Sequence, residues 1–301
     1  MKNLNIFAYD VNDFLKVVSK KGTESDITLF HRKDGDNLYT FLSPSRFPEK
    51  ISSLTDCIYP ADVALINGDN ITKDLGEVII ALDLMGIRKG YFLLNDESRI
   101  DTIKKIASKT SLKDFGFFSG NAVEFIDVLS KERHTPKFQT PTVVVDHFFK
   151  VKSVGTVALG FVLGGKIEKH QKLKCSYIGK EAQIRSIQVQ DEDQDYAESG
   201  TRVGLALKNI EADELERGMF LSDSGFQYLE KFKGNLEIHP AVKQKPENSF
   251  EIFASDLMRY QRGFCNGGEI TMEKPVLNAG NGFVVATPSR NPRILGRIKP
   301  S

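Results

Sequence analysis

The stretch "GFVLGGKI" (160–167) has the spacing of a phosphate-binding loop, with two glycines four residues apart and then Lys166. Such a loop needs a strand, a glycine-rich turn and then a helix, because backbone N–H groups at the helix start must face the phosphates. Here strand-like residues lie on both sides of the first glycine, Ile167 replaces the Ser or Thr, and no helical pattern follows. The stretch therefore indicates a β-turn at Gly164–Gly165, and we expect no phosphate there.

No other arrangement of reactive side chains stands out in the sequence. The five histidines are scattered, with neither an H-E-x-x-H pair nor a G-x-S-x-G turn. The three cysteines lie far apart without a C-x-x-C pair, which predicts neither a disulfide framework nor a zinc site. We expect no metal and no cofactor. Because distant side chains can still meet in space, a hydrolase of unrecognised type stays open at this point.

Length and composition indicate a soluble protein of two or three domains. The chain has 301 residues, of which 40% are hydrophobic and 27% charged, and no apolar run is long enough to span a membrane. Polar residues interrupt the first fifteen residues, so no signal peptide is predicted and a cytoplasmic location is expected. Net charge is +1, but residues 231–301 contain 11 basic and 6 acidic residues, net +5, which hints at an anionic partner.

The pattern of apolar residues changes twice along the chain. Strand-like and helix-like segments alternate over the first 130 residues, which is typical of a mostly parallel α/β sheet. The polar stretch "KERHTPKFQTP" follows, and then two blocks of short β-rich runs separated by turn glycines, which indicate antiparallel barrels. The predicted boundaries are an α/β domain over 1–132, a linker over 133–141, and barrels over 142–230 and 231–301.

Residues 148–175 and 183–221 carry a set of short motifs. These are G-T-V followed by a glycine three residues on, the G-x-I turn, the S-I-Q strand, the A-x-x-G-x-x-V-G-L-A-L segment and a late E-R-G. Together they resemble the second domain of the translational GTPases, the family of elongation factor Tu and, most closely, the archaeal selenocysteine-specific elongation factor. The resemblance implies a β-barrel, in agreement with the pattern of turns.

Weaker resemblances extend over the rest of the chain. "ADVALINGDNITKDLGEVIIALDLMGIRKGYFLLN" resembles the middle of the family's GTPase domain, and "GGEITMEKPVLNAGNGFVVATPSRNPRILGRIK" resembles its third domain, also a barrel. The expected fold is a P-loop-GTPase-like parallel α/β domain that lacks the P-loop, followed by two β-barrel domains.

The residues that bind GTP in this family are missing from the sequence. After "NIFAYD", where the phosphate loop should begin, come Val11, Asn12 and Asp13. The place of D-x-P-G-H reads "LSPSRF", with Ser43 near the Asp position, and N-K-x-D becomes "NDES" at 95–98. Since GTP hydrolysis needs the phosphate cradle, the lysine and the magnesium ligands together, we interpret the chain as a pseudo-GTPase and not an enzyme.

The resemblance also implies a site for the aminoacyl end of a transfer RNA on the second domain. The residues that match positions near this pocket are Asp146, His147, Phe149 and Arg202. An aromatic ring can stack on a terminal base, and an arginine can meet a phosphate or carboxylate. The alternative is that Phe149 lies in the barrel core and the charged residues line a solvated rim.

In the family, the third domain contacts the stem of the transfer RNA. The segment "PSRNPRILGRIKP" offers Arg290, Arg293 and Arg297, and strand alternation would put Arg293 and Arg297 on one side, facing backbone phosphates. The alternative is an ordinary solvated strand edge, which basic residues protect from aggregation. The acidic run 190–198 is predicted to be a loop that repels RNA.

The favoured hypothesis is a non-catalytic, elongation-factor-like protein that binds transfer RNA or the ribosome without using GTP. A protein–protein adaptor, with the GTPase-like domain as a scaffold for a protein partner, is the first alternative. A switch that responds to nucleotide through a non-standard site is the second. Neither a membrane nor DNA is expected as a partner.

Overall fold

The α/β part of the molecule is a single seven-stranded sheet with helices. The computed structural model describes residues 2–255, 258–288 and 291–301. The strands of this part are β1 (Lys2–Tyr9), β2 (Lys20–Glu24), β3 (Thr28–Asp34), β4 (Asn37–Ser43), β5 (Val63–Asn67), β6 (Gly90–Leu93) and β7 (Gly116–Phe118). The helices are α1 (Asn12–Val18), α2 (Ile51–Ile58), α3 (Lys73–Leu84), α4 (Ile100–Ala107) and α5 (Ala122–Ser130).

The sheet has the order β2-β3-β4-β1-β5-β6-β7. Its β1–β5, β5–β6 and β6–β7 pairs are parallel. Strands β1 and β5 are buried along most of their length, which explains their nearly unbroken apolar runs. The β2–β3 pair is antiparallel, so the sheet is mixed, with its parallel part formed by β1, β5, β6 and β7. The predicted α/β domain with a parallel sheet is confirmed for that part.

Helix α3 shows how local sequence sets an element. The Thr72 side chain accepts a hydrogen bond from Leu75 N (3.2 Å) and so caps the first turn. Just past the last turn, Gly86 has φ +78°, the left-handed conformation that ends helices. The apolar stripe of the helix is buried.

The first barrel is built from nine strands. These are β8 (Thr142–Val151), β9 (Gly155–Gly164), β10 (Lys166–Glu168), β11 (Lys172–Cys175), β12 (Glu181–Val189), β13 (Glu192–Gln194), β14 (Tyr196–Glu198), β15 (Arg202–Lys208) and β16 (Phe220–Ser222). Six of them close a ring in the order β11-β16-β8-β9-β15-β12, because β12 also pairs with β11. The acidic run 190–198, predicted to be a loop, instead forms β13 and β14 together with the turns beside them.

The glycines of "GFVLGGKI" allow close approach of backbone. A Cβ on Gly160 would lie 2.1 Å from the Val144 carbonyl oxygen, and one on Gly164 would lie 2.2 Å from that of Phe138. Gly165 has φ +59°. The stretch is strand, turn and strand, as predicted, with no helix after it.

The last barrel has six strands and closes in the order β17-β20-β19-β18-β21-β22. They are β17 (Tyr228–Ile238), β18 (Ser249–Ser255), β19 (Tyr260–Asn266), β20 (Glu269–Leu277), β21 (Phe283–Ala286) and β22 (Ile294–Pro300). Its core is formed by inward-facing residues such as Ile252, Phe283 and Ile298. No helix in the described part of the chain is long and apolar enough to cross a membrane.

The chain divides into two compact units, not along the predicted boundaries. The first unit consists of Met1–Asn5, Lys33–Thr40 and Arg133–Phe226, and the second consists of Ile6–Arg32, Phe41–Glu132 and Gln227–Ser301. Residues 133–141, predicted as a linker, pack on the first barrel: Phe138 N donates to Leu163 O, and its ring lies 6.1 Å from that of Phe220. The last barrel shares a unit with most of the α/β part.

Candidate functional site

A buried ion pair lies in the first barrel at the predicted aminoacyl site. Arg202 Nη2, at the start of β15, donates to both carboxylate oxygens of Asp146 on β8, at 3.1 and 3.2 Å. His147 Nδ1 lies 3.3 Å from the same carboxylate. Burial alone would raise the pKa of Asp146, but the charge of Arg202 and the contacts of His147 outweigh it and lower the pKa to about 2. The carboxylate is therefore ionised at neutral pH.

A local irregularity of β8 positions this pair. The register of β8 against β9 shifts between Val145 and His147, as in a β-bulge, which re-aims side chains. The guanidinium of Arg202 also lies over the ring of Phe161, with 5.6 Å from its central carbon to the ring centroid. Its Nε is buried and has no hydrogen-bond acceptor in the part of the chain that the structure describes. Arg202 is thus held in place with its buried Nε donor unused.

Phe149 lies apart from this pair. Its side chain is 45% exposed, which argues against the alternative that it is part of the barrel core. Phe149 pairs with Val157 on β9 whereas Arg202 pairs with Phe161, and four residues of strand correspond to roughly 13 Å. Of the four residues predicted for the aminoacyl pocket, the structure brings three together.

The arginines predicted to face phosphates contact helix α3 instead. Arg293, just before β22, donates from its backbone N to Glu77 Oε1 (2.7 Å) and from Nη2 to Glu77 Oε2 (2.6 Å). Arg297 Nη2 donates to the Leu84 carbonyl. The two side chains therefore do not form the exposed, phosphate-facing row that alternation predicted, because each has a partner on α3. Arg290 lies outside the described residues.

Other cations of the basic last barrel also have acidic partners. Arg262 contacts Glu251 and Glu273, and Lys299 contacts Glu237 at 3.1 Å. The acids Glu251, Glu273 and Glu237 are already counted in the net +5 of residues 231–301, so these ion pairs leave that value unchanged but reduce the number of cations without an acidic partner. The last barrel is consequently a weaker anion-binding surface than its composition indicated.

A row of unpaired cations lies on the outside of the first barrel, and we call it the basic strip. It consists of Lys152, Lys172, Lys174, Arg185 and Lys208. None of these residues forms an ion pair with any carboxylate in the described ranges. The alternation K-x-K in "KLKC" is the sequence signal that could have revealed the first two members on β11.

Strand pairing brings the members of the basic strip together. Gln183 on β12 lies opposite both Lys172 on β11 and Lys208 on β15, so these lysines are two strand spacings apart, roughly 10 Å. Arg185 Nη1 donates to Val154 O (3.1 Å), in the turn that also contains Lys152. Glu181 on β12 is the acidic residue that pairs in register with a member of the basic strip, since it lies opposite Lys174.

The carboxyl ends of the parallel strands, where ligands of such sheets bind, form a second candidate site. Only Asp10 and Val11 connect β1 to α1, and Asp10 has φ +57°. Its Oδ2 accepts hydrogen bonds from Asn67 Nδ2 (3.1 Å) and Asn70 Nδ2 (2.9 Å). The residue that directly follows β1 is therefore an aspartate whose carboxylate accepts hydrogen bonds from two amide side chains.

The ends of β5 and β6 continue this acidic edge. The carboxylate of Asp69 accepts hydrogen bonds from the backbone and side-chain nitrogens of Asn95 (2.8 Å each) and from Asp96 N (3.1 Å). The hydrogen bonds from Ser98 lower the pKa of Asp96. Within the described ranges, no group of three or more His, Cys, Asp or Glu side chains is placed to hold a metal ion. The edge thus carries the carboxylates of Asp10, Asp69 and Asp96, and Arg99 pairs with Asp96 at 3.7 Å.

Comparison with known proteins defines the class. A family model of elongation factor Tu domain 2 matches residues 155–222. The chain is similar to translation elongation factor SelB from Methanococcus maripaludis, solved in complex with the GTP analogue GPPNHP. That fold match has a TM-score of 0.83 at 19% identity and covers 100% of this chain and 79% of that one.

Two relatives in Methanocaldococcus jannaschii are more similar to this chain in sequence than that structure is. An uncharacterized protein is 39% identical over 235 residues, which is 76% of this chain and 75% of that protein. The selenocysteine-specific elongation factor is 33% identical over 177 residues, which is 58% of this chain but only 35% of that factor. The chain is related to the translational GTPases and contains an elongation factor Tu domain 2 at residues 155–222. This relatedness to translation elongation factors supports a role connected with translation.

Proposed function

We propose that this protein binds RNA through its first barrel, as part of translation, and that it neither binds nor hydrolyses GTP. The observation that carries the RNA-binding part is the basic strip, because five unpaired cations on one barrel surface suit a run of backbone phosphates. Transfer RNA and ribosomal RNA share this phosphate chemistry, and both are partners that relatedness to elongation factors favours.

The Asp146–Arg202 pair suits the end of an RNA chain. Its unused Nε would donate to a terminal phosphate, ribose or carboxylate oxygen of the RNA. His147 adds an imidazole that is 22% exposed beside this donor. In this proposal the basic strip supplies affinity and the Arg202 site recognises the end of the strand.

The acidic edge of the sheet supports the proposal that the protein neither binds nor hydrolyses GTP. A phosphate loop needs a glycine-rich turn and a lysine after β1, whereas the two connecting residues are Asp10 and Val11. A triphosphate at this edge would meet the carboxylates of Asp10 and Asp69, and like charges at short range repel. The residues present therefore do not fit GTP with magnesium.

Replacing Lys172, Lys174 and Lys208 together by alanine is expected to weaken binding of transfer RNA and to make that binding less sensitive to salt. Each lost phosphate contact removes about 0.7–0.9 from the slope of log K against log salt concentration, so the slope should fall by about 2 to 3. Fluorescence anisotropy of labelled transfer RNA, followed between about 50 and 200 mM salt, measures both quantities.

The matched control replaces three exposed lysines that already have acidic partners. These are Lys16 with Asp13, Lys150 with Glu211 and Lys180 with Glu214. The control changes net charge equally and should leave the slope within about 1 of the wild type. Equal losses in both triple variants would contradict a specific role of the basic strip. Absence of any salt-sensitive RNA binding by the wild type would favour the adaptor hypothesis.

A further inference from the structure

A cavity of about 260 Å³ opens in the first compact unit, away from the basic strip. Residues of β1, β3 and β4 form one side, and the chain from Val189 to Thr201 forms the other. Its floor is apolar, since Leu38, Val189 and Ala197 are each at least nine-tenths buried. The cavity is the size of a small molecule or one extended side chain.

The rim of this cavity has more negative than positive groups. Glu192 and Glu198 line it with Lys33, and none of the three has an ion-pair partner among the residues that the structure describes. Tyr196 lines the same cavity and is 51% exposed. Lys166 Nζ lies 4.3 Å from the centroid of that ring and is attracted to Glu198, opposite it across the β10–β14 pair, so the ring already meets one cation.

We propose that this cavity binds a small organic cation with an alkyl guanidinium or alkyl ammonium group. The carboxylates of Glu192 and Glu198 would accept its hydrogen bonds, and the Tyr196 ring would add a cation–π contact. The alkyl chain would cover the apolar floor. Among the lining residues, an anion would meet two carboxylates against one ammonium, and a neutral ligand would leave Glu192 without a counter-charge. None of its lining residues belongs to the basic strip or to the Asp146–Arg202 pair.

Isothermal titration calorimetry at low salt, without RNA, tests the proposal. The probes are agmatine and spermidine as free cations, acetyl-Gly-Arg-Gly-amide as a basic side chain in a peptide, and pentanamide as an uncharged analogue. We expect Glu192→Gln and Glu198→Gln each to weaken cation binding about fivefold. Lys33→Gln is expected to tighten it about twofold to fivefold, because a like charge is removed.

Asp191→Asn is the matched control. Asp191 belongs to the same acidic run but is not part of the cavity lining, and its φ of +64° is a conformation that asparagine tolerates. Binding of free cations but not the peptide would identify a small molecule as the occupant, and binding of both would identify a basic side chain as well. The proposal is overturned if pentanamide binds as tightly as the cations, if no cation binds, or if Asp191→Asn weakens binding as much as Glu192→Gln.

Discussion

Replacing Glu77 by glutamine is expected to destabilise the second compact unit by about 3 kcal/mol, because it breaks a buried ion pair and leaves one charge uncompensated. The Glu77 side chain is 5% exposed and that of Arg293 is 23% exposed. The carboxylate accepts hydrogen bonds from the backbone nitrogens of Arg293 and Ile294 as well as from the guanidinium. Glutamine can replace only part of this acceptor capacity.

Hydrogen exchange followed by mass spectrometry locates the effect. Peptides from α3 and β22 should exchange faster in Glu77→Gln, while those from β8 and β9 in the first unit should not change. The double variant Glu77→Met with Arg293→Met should be less destabilised than either single variant, because no buried charge is left unpaired.

The matched control is Glu237→Gln. Glu237 pairs with Lys299, and both side chains are at least half exposed, so the loss should stay below about 1 kcal/mol. If Glu77→Gln exchanges like the wild type, the ion pair does not stabilise this unit and the assignment of Arg293 to α3 is wrong.

Replacing Asp146 by asparagine is expected to lower the unfolding free energy by about 3 kcal/mol at neutral pH, since Arg202 would remain buried without its counter-ion. The effect should depend on pH. The pKa of Asp146 in the folded chain is about 2, below its ordinary value of 3.8. Its contribution is therefore fully present above about pH 4, amounts to about 2 kcal/mol, and disappears as pH falls towards 2.

Denaturation of wild type and Asp146→Asn between pH 5 and pH 2 measures this contribution. The gap in unfolding free energy should shrink by about 2 kcal/mol over that range. Asp193→Asn is the control. The carboxylate of Asp193 is exposed, and within the described residues it accepts a hydrogen bond from Gln188 alone. If the difference in unfolding free energy between wild type and Asp146→Asn stays constant with pH, Asp146 is not held ionised by Arg202.

The sequence predicted the layers of the fold because these depend on local patterns. Alternation of apolar runs with helical stripes indicated the α/β sheet, and turn glycines such as Gly155, Gly165 and Gly200 have the positive φ that such turns require. Asp146 and Arg202 were selected by resemblance, and their contact follows from the pairing of β8 and β15 with β9.

The partners of individual charges could not be predicted, because they lie far apart in sequence. Glu77 and Arg293 are 216 residues apart, and nothing local to "NPRILGR" indicates that its arginines contact α3. The basic strip likewise draws on β11, β12, β15 and the β8–β9 turn, so no single segment looks strongly basic. Net charge of a segment, as for residues 231–301, does not show which cations remain unpaired.

Thermal melting with three ligands tests most directly whether the protein binds RNA without nucleotide. Millimolar GTP and GDP with Mg²⁺ should leave the midpoint unchanged, while transfer RNA should raise it. A ligand at about 100 times its Kd stabilises by about 2.7 kcal/mol, a shift of roughly 5–10 °C. A clear rise with either nucleotide would contradict the proposed loss of nucleotide binding, and no rise with RNA would contradict the proposed function.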